Sequence, residues 1–205
     1  MKTTLIKTKY IDAEIDSDEP QMESTKHFKQ LALLYDVLDI YWEDRKDFFI
    51  GCNLSVYYDQ GNPKKRAFVG PDFFYVNTQN YFPNRKSWMI WKEGKFPDVI
   101  IELLSDSTEK NDKIGKYHLY EQEWNVSEYF WFSPETLEFK GFRLINNIYQ
   151  SINPQQVQAN KNLLWSEQMK IYLGVFQQEL RCFEPNGLLI PTHKEDKQLY
   201  KNTKK

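Results

Sequence analysis

The sequence has few cysteines and no long apolar run, and these absences exclude several classes of protein. The two cysteines, Cys52 and Cys182, lie far apart and belong to no CxxC or histidine-spaced pattern. A disulfide framework and a structural zinc site are therefore not expected, and reduced thiols in the cytoplasm are the simpler interpretation. No apolar stretch approaches the roughly 18 residues of a membrane helix, so we expect no membrane span. The amino-terminal stretch also lacks the apolar segment of a signal peptide.

The chain also lacks an excess of positive charge. It carries 27 Lys and Arg against 29 Asp and Glu, for a net charge of −2. A strongly basic nucleic-acid-binding domain would differ, although a mean charge can hide local patches. Two short basic stretches, 62–66 and 84–86, are candidates for contacts with backbone phosphates, and solvated turns are the alternative.

The residues that are present describe a folded globular protein. Hydrophobic residues make up 40% of the 205 positions and aromatic residues 16%, which is typical of a chain with a substantial core. This length favours a single domain. We predict an N-terminal arm at 1–20, a domain at 21–190 and a C-terminal tail at 191–205.

Two stretches have the apolar spacing of a helix. The first covers residues 22–39, with Ser24 or Thr25 as its cap. The second covers residues 106–124 and begins with acidic and hydroxyl residues. The predicted apolar faces contain Phe28, Leu31, Leu34, Tyr35 and Leu38 in the first helix, and Ile114, Tyr117, Tyr120 and Trp124 in the second.

Strand signals fill much of the remaining chain. Stretches rich in β-branched and aromatic residues occur at 48–59, 72–76, 98–105 and 127–134. Asn146 and Asn147 separate two apolar runs in the manner of a hairpin. A helix, several strands, a helix and another strand, followed by more β structure, predict an α/β core with a mixed sheet.

Glu102 is the most informative residue in the sequence. It lies in the middle of the predicted strand at 98–105, whose two faces are otherwise apolar. Such a strand is normally buried on both sides of its sheet. A buried carboxylate costs several kcal/mol unless it is paired or bound to a metal ion.

Asp72 is a candidate partner for Glu102. It follows Pro71 at the start of another predicted strand, and two neighbouring strands can bring the two carboxylates to a common cation. Oxygen ligands of this kind suit Mg²⁺ or Mn²⁺, which can polarise a phosphate and lower the pKa of a bound water. The alternatives are an ordinary turn acid at Asp72 and a Glu102 paired with a buried arginine.

These acids belong to a set of motifs that resembles the Uma-two family, restriction-endonuclease-like proteins of the PD-(D/E)XK nuclease superfamily. The set comprises GPDFFYV (70–76), FPDVIIELLSDST (96–108), DK (112–113) and EYFWFSPE (128–135), and the resemblance covers roughly residues 20–180. It implies an α/β, restriction-endonuclease-like fold: an αβββαβ core with a mixed central sheet and a β-rich C-terminal decoration. It also implies hydrolysis of phosphodiester bonds in DNA, with Mg²⁺ or Mn²⁺ as cofactor.

The resemblance also implies metal-binding roles for particular residues. Asp72 matches the first acid of the superfamily motif, and Glu102 matches the acid of the (D/E)XK element. The backbone carbonyl of Leu103 becomes an additional ligand, and Glu23 on the first helix is a secondary candidate. Asp98, in a second Pro-Asp pair, ranks below Asp72 because it looks like a loop acid at the start of a strand.

The sequence departs from the motif at its lysine, because Leu104 stands at that position, on the same strand face as Glu102. The resemblance moves the basic group to the following helix. Lys116 is there the first candidate for the water-positioning role, and Lys113 is the second. Asp112 and Lys116 are four residues apart and share a helix face. A solvated lysine face is the alternative.

Two functions remain in consideration. The first is a cytoplasmic, divalent-metal-dependent DNA endonuclease that uses Asp72, Glu102 and Lys116. The second is a catalytically inactive module on the same fold that binds nucleic acid or protein, and Leu104 and the mildly acidic charge favour it. A homodimer would fit the first function, because a duplex cutter needs two sites for two strands.

Overall fold

A six-stranded mixed sheet forms the centre of the protein, in a computed structural model that describes residues 15–19, 22, 24–59, 67–80, 82 and 84–203. The helices are α1 (Thr25–Tyr41), α2 (Ile90–Glu93), α3 (residues 109–123, with π-helical segments Asn111–Lys116 and Leu119–Glu123) and α4 (His193–Thr203). The strands are β1 (Phe48–Cys52), β2 (Val56–Tyr57), β3 (Phe68–Val69), β4 (Phe73–Asn77), β5 (Trp88–Met89), β6 (Val99–Leu103), β7 (Glu128–Phe132), β8 (Phe139–Ile145), β9 (Ile148–Ser151), β10 (Gln155–Val157), β11 (Asn160–Ser166), β12 (Ile171–Phe176) and β13 (Glu179–Phe183). Glu23 and the basic stretch 62–66 lie outside the described residues.

The sheet topology agrees with the predicted α/β class. The central sheet has the order β1-β4-β6-β7-β8-β9, in which β6 and β7 are parallel and the other neighbours are antiparallel. Along the chain, α1, β1, β4, β6, α3 and β7 give the predicted succession of helix, three strands, helix and strand. The β-rich C-terminal part is the four-stranded sheet β10-β11-β12-β13, and β3, β2 and β5 form a small third sheet. The predicted mixed sheet and C-terminal β structure are confirmed.

Strand β6 is buried on both faces of the central sheet, as predicted. Its alternate side chains enter two core clusters, one that includes α1 and the C-terminal sheet and one that includes α3. The first cluster receives Val99, Ile101 and Leu103, and the second receives Ile100 and Leu104. Each such aliphatic side chain contributes about 1.5–3 kcal/mol when it is fully buried. The strand that carries Glu102 is therefore held firmly from both sides.

Helix α1 starts after its predicted cap, Ser24, and buries Leu31, Leu34 and Leu38 of its predicted apolar face. The prediction is wrong at Phe28 and Tyr35, which are 56% and 43% exposed. Gln30 is buried instead, because its side chain bonds both backbone groups of Leu180 in β13, each at 2.9 Å. A polar residue thus orients the helix on the C-terminal sheet.

We expect Gln30→Leu to lower the free energy of unfolding by about 2 kcal/mol, because it would leave the buried Leu180 N–H and carbonyl without partners. Chemical denaturation measures the effect, with Lys29→Leu at the neighbouring exposed position as the control. Equal denaturation midpoints for Gln30→Leu and wild type would contradict this account.

Helix α3 is wound more loosely than predicted. Its π-helical segments use hydrogen bonds between residues five apart, which displaces side chains from an α-helical stripe. Tyr120 and Trp124 are buried as predicted, but the prediction is wrong for Ile114, which is 53% exposed. Asp112 is buried on this helix instead. In this part of α3, the carboxylate of Asp112 is therefore buried and the predicted apolar residue Ile114 is not.

The hairpin prediction is confirmed, and the division of the chain into arm, domain and tail stays a prediction. Asn146 and Asn147 both have positive φ, 52° and 63°, as the turn of a two-residue hairpin requires.

Helix α4 lies within the predicted tail and is tied to β13 by the Arg181–Glu195 ion pair at 2.6 Å. Among the described residues, no helix is long and apolar enough to cross a membrane.

Candidate active site

A cavity of about 520 Å³ lies where α1, the segment before β4, the end of β6 and α3 meet. Acidic, basic and apolar groups line it together, among them Glu19, His27, Phe68, Asp72, Leu103, Asp112 and Lys116. Several residues that the sequence singled out as site candidates therefore share one cavity.

The antiparallel ladder between β4 and β6 brings Asp72 to Glu102. The last ladder pair is Phe73 with Ile101, so the next step along both strands sets Asp72 opposite Glu102. The Asp72 N–H donates to Glu102 Oε2 at 3.2 Å, and the Leu103 N–H donates to Asp72 Oδ2 at 2.7 Å. The acid of the Pro-Asp motif and the acid of the central strand thus meet at the same end of the sheet.

Glu102 is fully buried, and protein donors surround its carboxylate. Its Oε1 accepts the Tyr120 hydroxyl at 2.8 Å and lies 3.0 Å from Lys116 Nζ. Both partners come from α3, so a lysine and a tyrosine compensate the buried charge rather than the arginine considered as an alternative.

Lys116 supplies an ammonium next to Glu102, whereas Leu104, at the lysine position of the motif, carries no charge. Its Nζ lies 3.0 Å from Glu102 and 3.0 Å from Asp112, and it donates to the Gly70 carbonyl at 3.4 Å. Leu104 itself is buried in the apolar cluster beside α3. A lysine four residues from Asp112 on the helix therefore supplies the ammonium that the strand does not.

Lys113 takes a different direction from Lys116. Its Nζ contacts Glu109 at 2.6 Å and Glu138 at 2.7 Å, and it lies over the ring of Trp131. The structure thus separates the two candidate lysines: Lys116 contacts Glu102 and Asp112, and Lys113 contacts Glu109 and Glu138.

Burial and the ammonium of Lys116 act in opposite directions on the pKa values of three carboxylates. Burial raises the pKa of Asp72 to about 6, of Glu102 to about 7 and of Asp112 to about 6, although Lys116 opposes each shift. Burial disfavours the charge of Lys116, but the three carboxylates together raise its pKa above the ordinary value. Above about pH 7 the cluster therefore carries three carboxylates against one ammonium.

Two residues of the cavity were not expected from the sequence to act there. Glu19 accepts the Ser55 hydroxyl at 2.9 Å, and its carboxylate lies so close to Gly70 that a Cβ on that residue would be 1.6 Å away. His27 Nε2 lies 3.2 Å from the Leu103 carbonyl oxygen. Neither contact can be predicted from a local sequence pattern, because both join residues that are far apart in the chain.

The basic stretch at 84–86 does not present its arginine to solvent. Arg85 forms a buried ion pair with Glu93, with contacts at 2.9 and 3.0 Å, and stacks over Phe49 and Trp88. The predicted phosphate contact is therefore wrong for Arg85. Arg85 thus connects Glu93 of α2 with Trp88 of β5 in the small sheet.

No group of three or more His, Cys, Asp and Glu side chains is arranged to hold a metal ion within the described part of the chain. The oxygen atoms that do come together are the two carboxylates of Asp72 and Glu102, and the carbonyl of Leu103 lines the same cavity as Asp72. Glu23 cannot be placed relative to them, because it lies outside the described residues.

Comparison with known proteins gives a matching family model and a similar solved structure. A family model described as "Uma2: Putative restriction endonuclease" matches residues 2–169. A search of curated proteins finds no match. Among solved structures, a protein described as "a putative nuclease belonging to DUF820" from Anabaena variabilis ATCC 29413 is similar, with a TM-score of 0.48 and 14% sequence identity over 69% of this chain and 75% of that chain.

Proposed function

The chain belongs to the Uma2 family of restriction-endonuclease-like proteins, and from this we propose that it is a divalent-metal-dependent DNA endonuclease. One observation carries the proposal: Asp72 and Glu102 meet at the end of the central sheet, with Lys116 in contact with Glu102. Two neighbouring carboxylates and a lysine are groups that metal-assisted hydrolysis of a phosphodiester can use.

The residues present fit a hard divalent cation. The carboxylates of Asp72 and Glu102 and the carbonyl of Leu103 are oxygen donors, which Mg²⁺ and Mn²⁺ prefer. Three acids that share the ammonium of Lys116 also leave negative charge for a cation to balance. When bound, such a cation supplies Lewis-acid stabilisation of the phosphate and a lower pKa for an attacking water.

The remaining groups act on the orientation of the reactants. Lys116 orients the attacking water and stabilises the charge that develops on the phosphate. Asp112 holds the Lys116 ammonium from the helix side at 3.0 Å, and the Tyr120 hydroxyl fixes one oxygen of Glu102. DNA is the proposed substrate, and a homodimer would place one site on each strand of a duplex.

A plasmid-nicking assay with Mg²⁺, Mn²⁺ or EDTA tests the proposal. We expect cutting that needs the cation and that Asp72→Asn abolishes. Asp98→Asn is the matched control, because Asp98 is the acid of the other Pro-Asp pair and is engaged by Lys95 at 2.6 Å and the Asn77 N–H at 2.7 Å. Cutting that persists in EDTA, or equal loss in both variants, would contradict the proposed site. Linear product formed without a nicked intermediate would support the homodimer.

A second candidate function rests on the contacts of Glu102. Both of its oxygens already have protein partners, Tyr120 and Lys116 on one side and the Asp72 N–H on the other. This favours a non-catalytic module that binds nucleic acid or protein. Such a module would bind DNA equally well in EDTA and in Mg²⁺ and would show no turnover, whereas the endonuclease would show turnover with the cation.

A further inference from the structure

The backbone of Leu103 lies where the ladder between β4 and β6 has ended. The last paired residues of that ladder are Phe73 and Ile101. Beyond them, side chains replace the missing strand: Asp72 accepts the Leu103 N–H at 2.7 Å, and His27 Nε2 contacts the Leu103 carbonyl oxygen at 3.2 Å. On the other side of β6, the Leu104 N–H donates to the Phe132 carbonyl at 2.8 Å. The Leu103 carbonyl is thus held by a histidine from α1.

The partner of His27 Nε2 assigns a proton to that atom. A carbonyl oxygen can only accept, so Nε2 donates to Leu103. The Nδ1 atom lies 2.9 Å from the Ser24 hydroxyl oxygen. The same Ser24 oxygen accepts the backbone N–H of His27 at 3.2 Å, which is its capping bond. The helix cap therefore also fixes the direction in which the imidazole donates.

We propose that His27 is a positioning residue that orients the Leu103 carbonyl as a ligand for the divalent cation. This inference rests on the proposed function. A carbonyl oxygen has two lone pairs, so the Leu103 oxygen could accept from His27 and still serve as a ligand for a cation. Hydrogen bonds of this kind hold a ligand in place, and their loss commonly lowers metal affinity 10–100-fold. His27 also ties the start of α1 to the end of β6, so the helix sets the geometry of the cavity.

Calorimetric titration of the full chain with Mn²⁺ tests the inference. We expect His27→Leu to weaken Mn²⁺ binding about tenfold or more, because it removes the donor. His27→Gln should bind within about threefold of wild type, since its side-chain amide can donate to the same carbonyl. His118→Leu is the matched control, because His118 is an exposed histidine of α3 that does not line the cavity. Thermal unfolding of each variant without cation separates loss of affinity from loss of fold.

The outcomes separate this inference from the proposed function. Weak binding in His27→Leu, with recovery in His27→Gln, would support the positioning role. Wild-type affinity in His27→Leu, together with lost binding in Glu102→Gln, would overturn the role of His27 and leave the metal site standing. Equal loss in His27→Leu and His27→Gln would overturn the role as donor. No Mn²⁺ binding by the wild type would overturn both the proposed site and this inference.

Discussion

Glu102→Gln is expected to abolish DNA cleavage and to make the protein more stable near about pH 8 when no divalent cation is present. The side chain is fully buried, and burial raises its pKa from the ordinary 4.5 to about 7. A carboxyl whose pKa is higher in the folded state costs stability once it ionises. This cost is absent below about pH 4.5, grows as the pH rises towards 7 and is complete above it. Glutamine cannot ionise, so the variant escapes the cost, which is on the order of 3 kcal/mol.

Denaturation in EDTA near about pH 5 and about pH 8 measures this effect. The gain of Glu102→Gln over wild type should be large at the higher pH and small at the lower one. Glu121→Gln is the control, because Glu121 is also a buried acid of α3 but accepts the Tyr149 N–H away from the cavity. A Glu102→Gln variant that is less stable than wild type at both pH values would contradict the balance of charge described for this cluster.

Lys116→Met should have the opposite effect on stability while also impairing cleavage. Its ammonium contacts Glu102 and Asp112 at 3.0 Å each, and it is the cation shared by the acids of the cavity. Removing one partner of a buried ion pair leaves an uncompensated charge, which costs about 3–5 kcal/mol. We expect that loss near neutral pH, with a smaller loss at lower pH because the freed carboxylates take up protons. Cleavage should fall by about 100-fold or more if the ammonium stabilises charge on the phosphate.

Lys113→Met decides between the two candidate lysines. Lys113 is paired with Glu109 and Glu138 on a more exposed part of α3, and such pairs contribute about 0–1 kcal/mol. Stability should therefore change little in this variant. A cleavage defect larger in Lys113→Met than in Lys116→Met would show that the basic group of the reaction is the outer lysine.

The opposite stability changes of Glu102→Gln and Lys116→Met are the expected signature of a site with surplus negative charge. Both variants would lose cleavage, yet one would stabilise the fold and the other would weaken it. A divalent cation should stabilise the wild type by about 3 kcal/mol at a concentration near 100 times its dissociation constant. The same addition should leave Glu102→Gln almost unchanged, because that variant lacks a ligand.

The sequence by itself determined the strand β6, its buried carboxylate and the hairpin at Asn146 and Asn147. These features depend on local chemistry: an apolar run of alternating residues predicts a buried strand, and a carboxylate inside it needs a partner. Asp72 was a candidate, but the Pro-Asp pair at the start of a strand also occurs at Asp98, and the family resemblance ranked Asp72 first. The succession of helices and strands followed from the same local signals.

Only the tertiary structure decided which partners those residues meet. The ladder register sets Asp72 against Glu102, and the position of α3 brings Lys116 within 3.0 Å of Glu102. The buried face of α1 depends on Gln30, whose partners lie 150 residues away in the chain. The contact of His27 with the Leu103 carbonyl likewise joins residues 76 positions apart. Hydrophobic spacing predicts which residues become buried. It does not predict which polar group, distant in the chain, will be the hydrogen-bond partner of a buried residue.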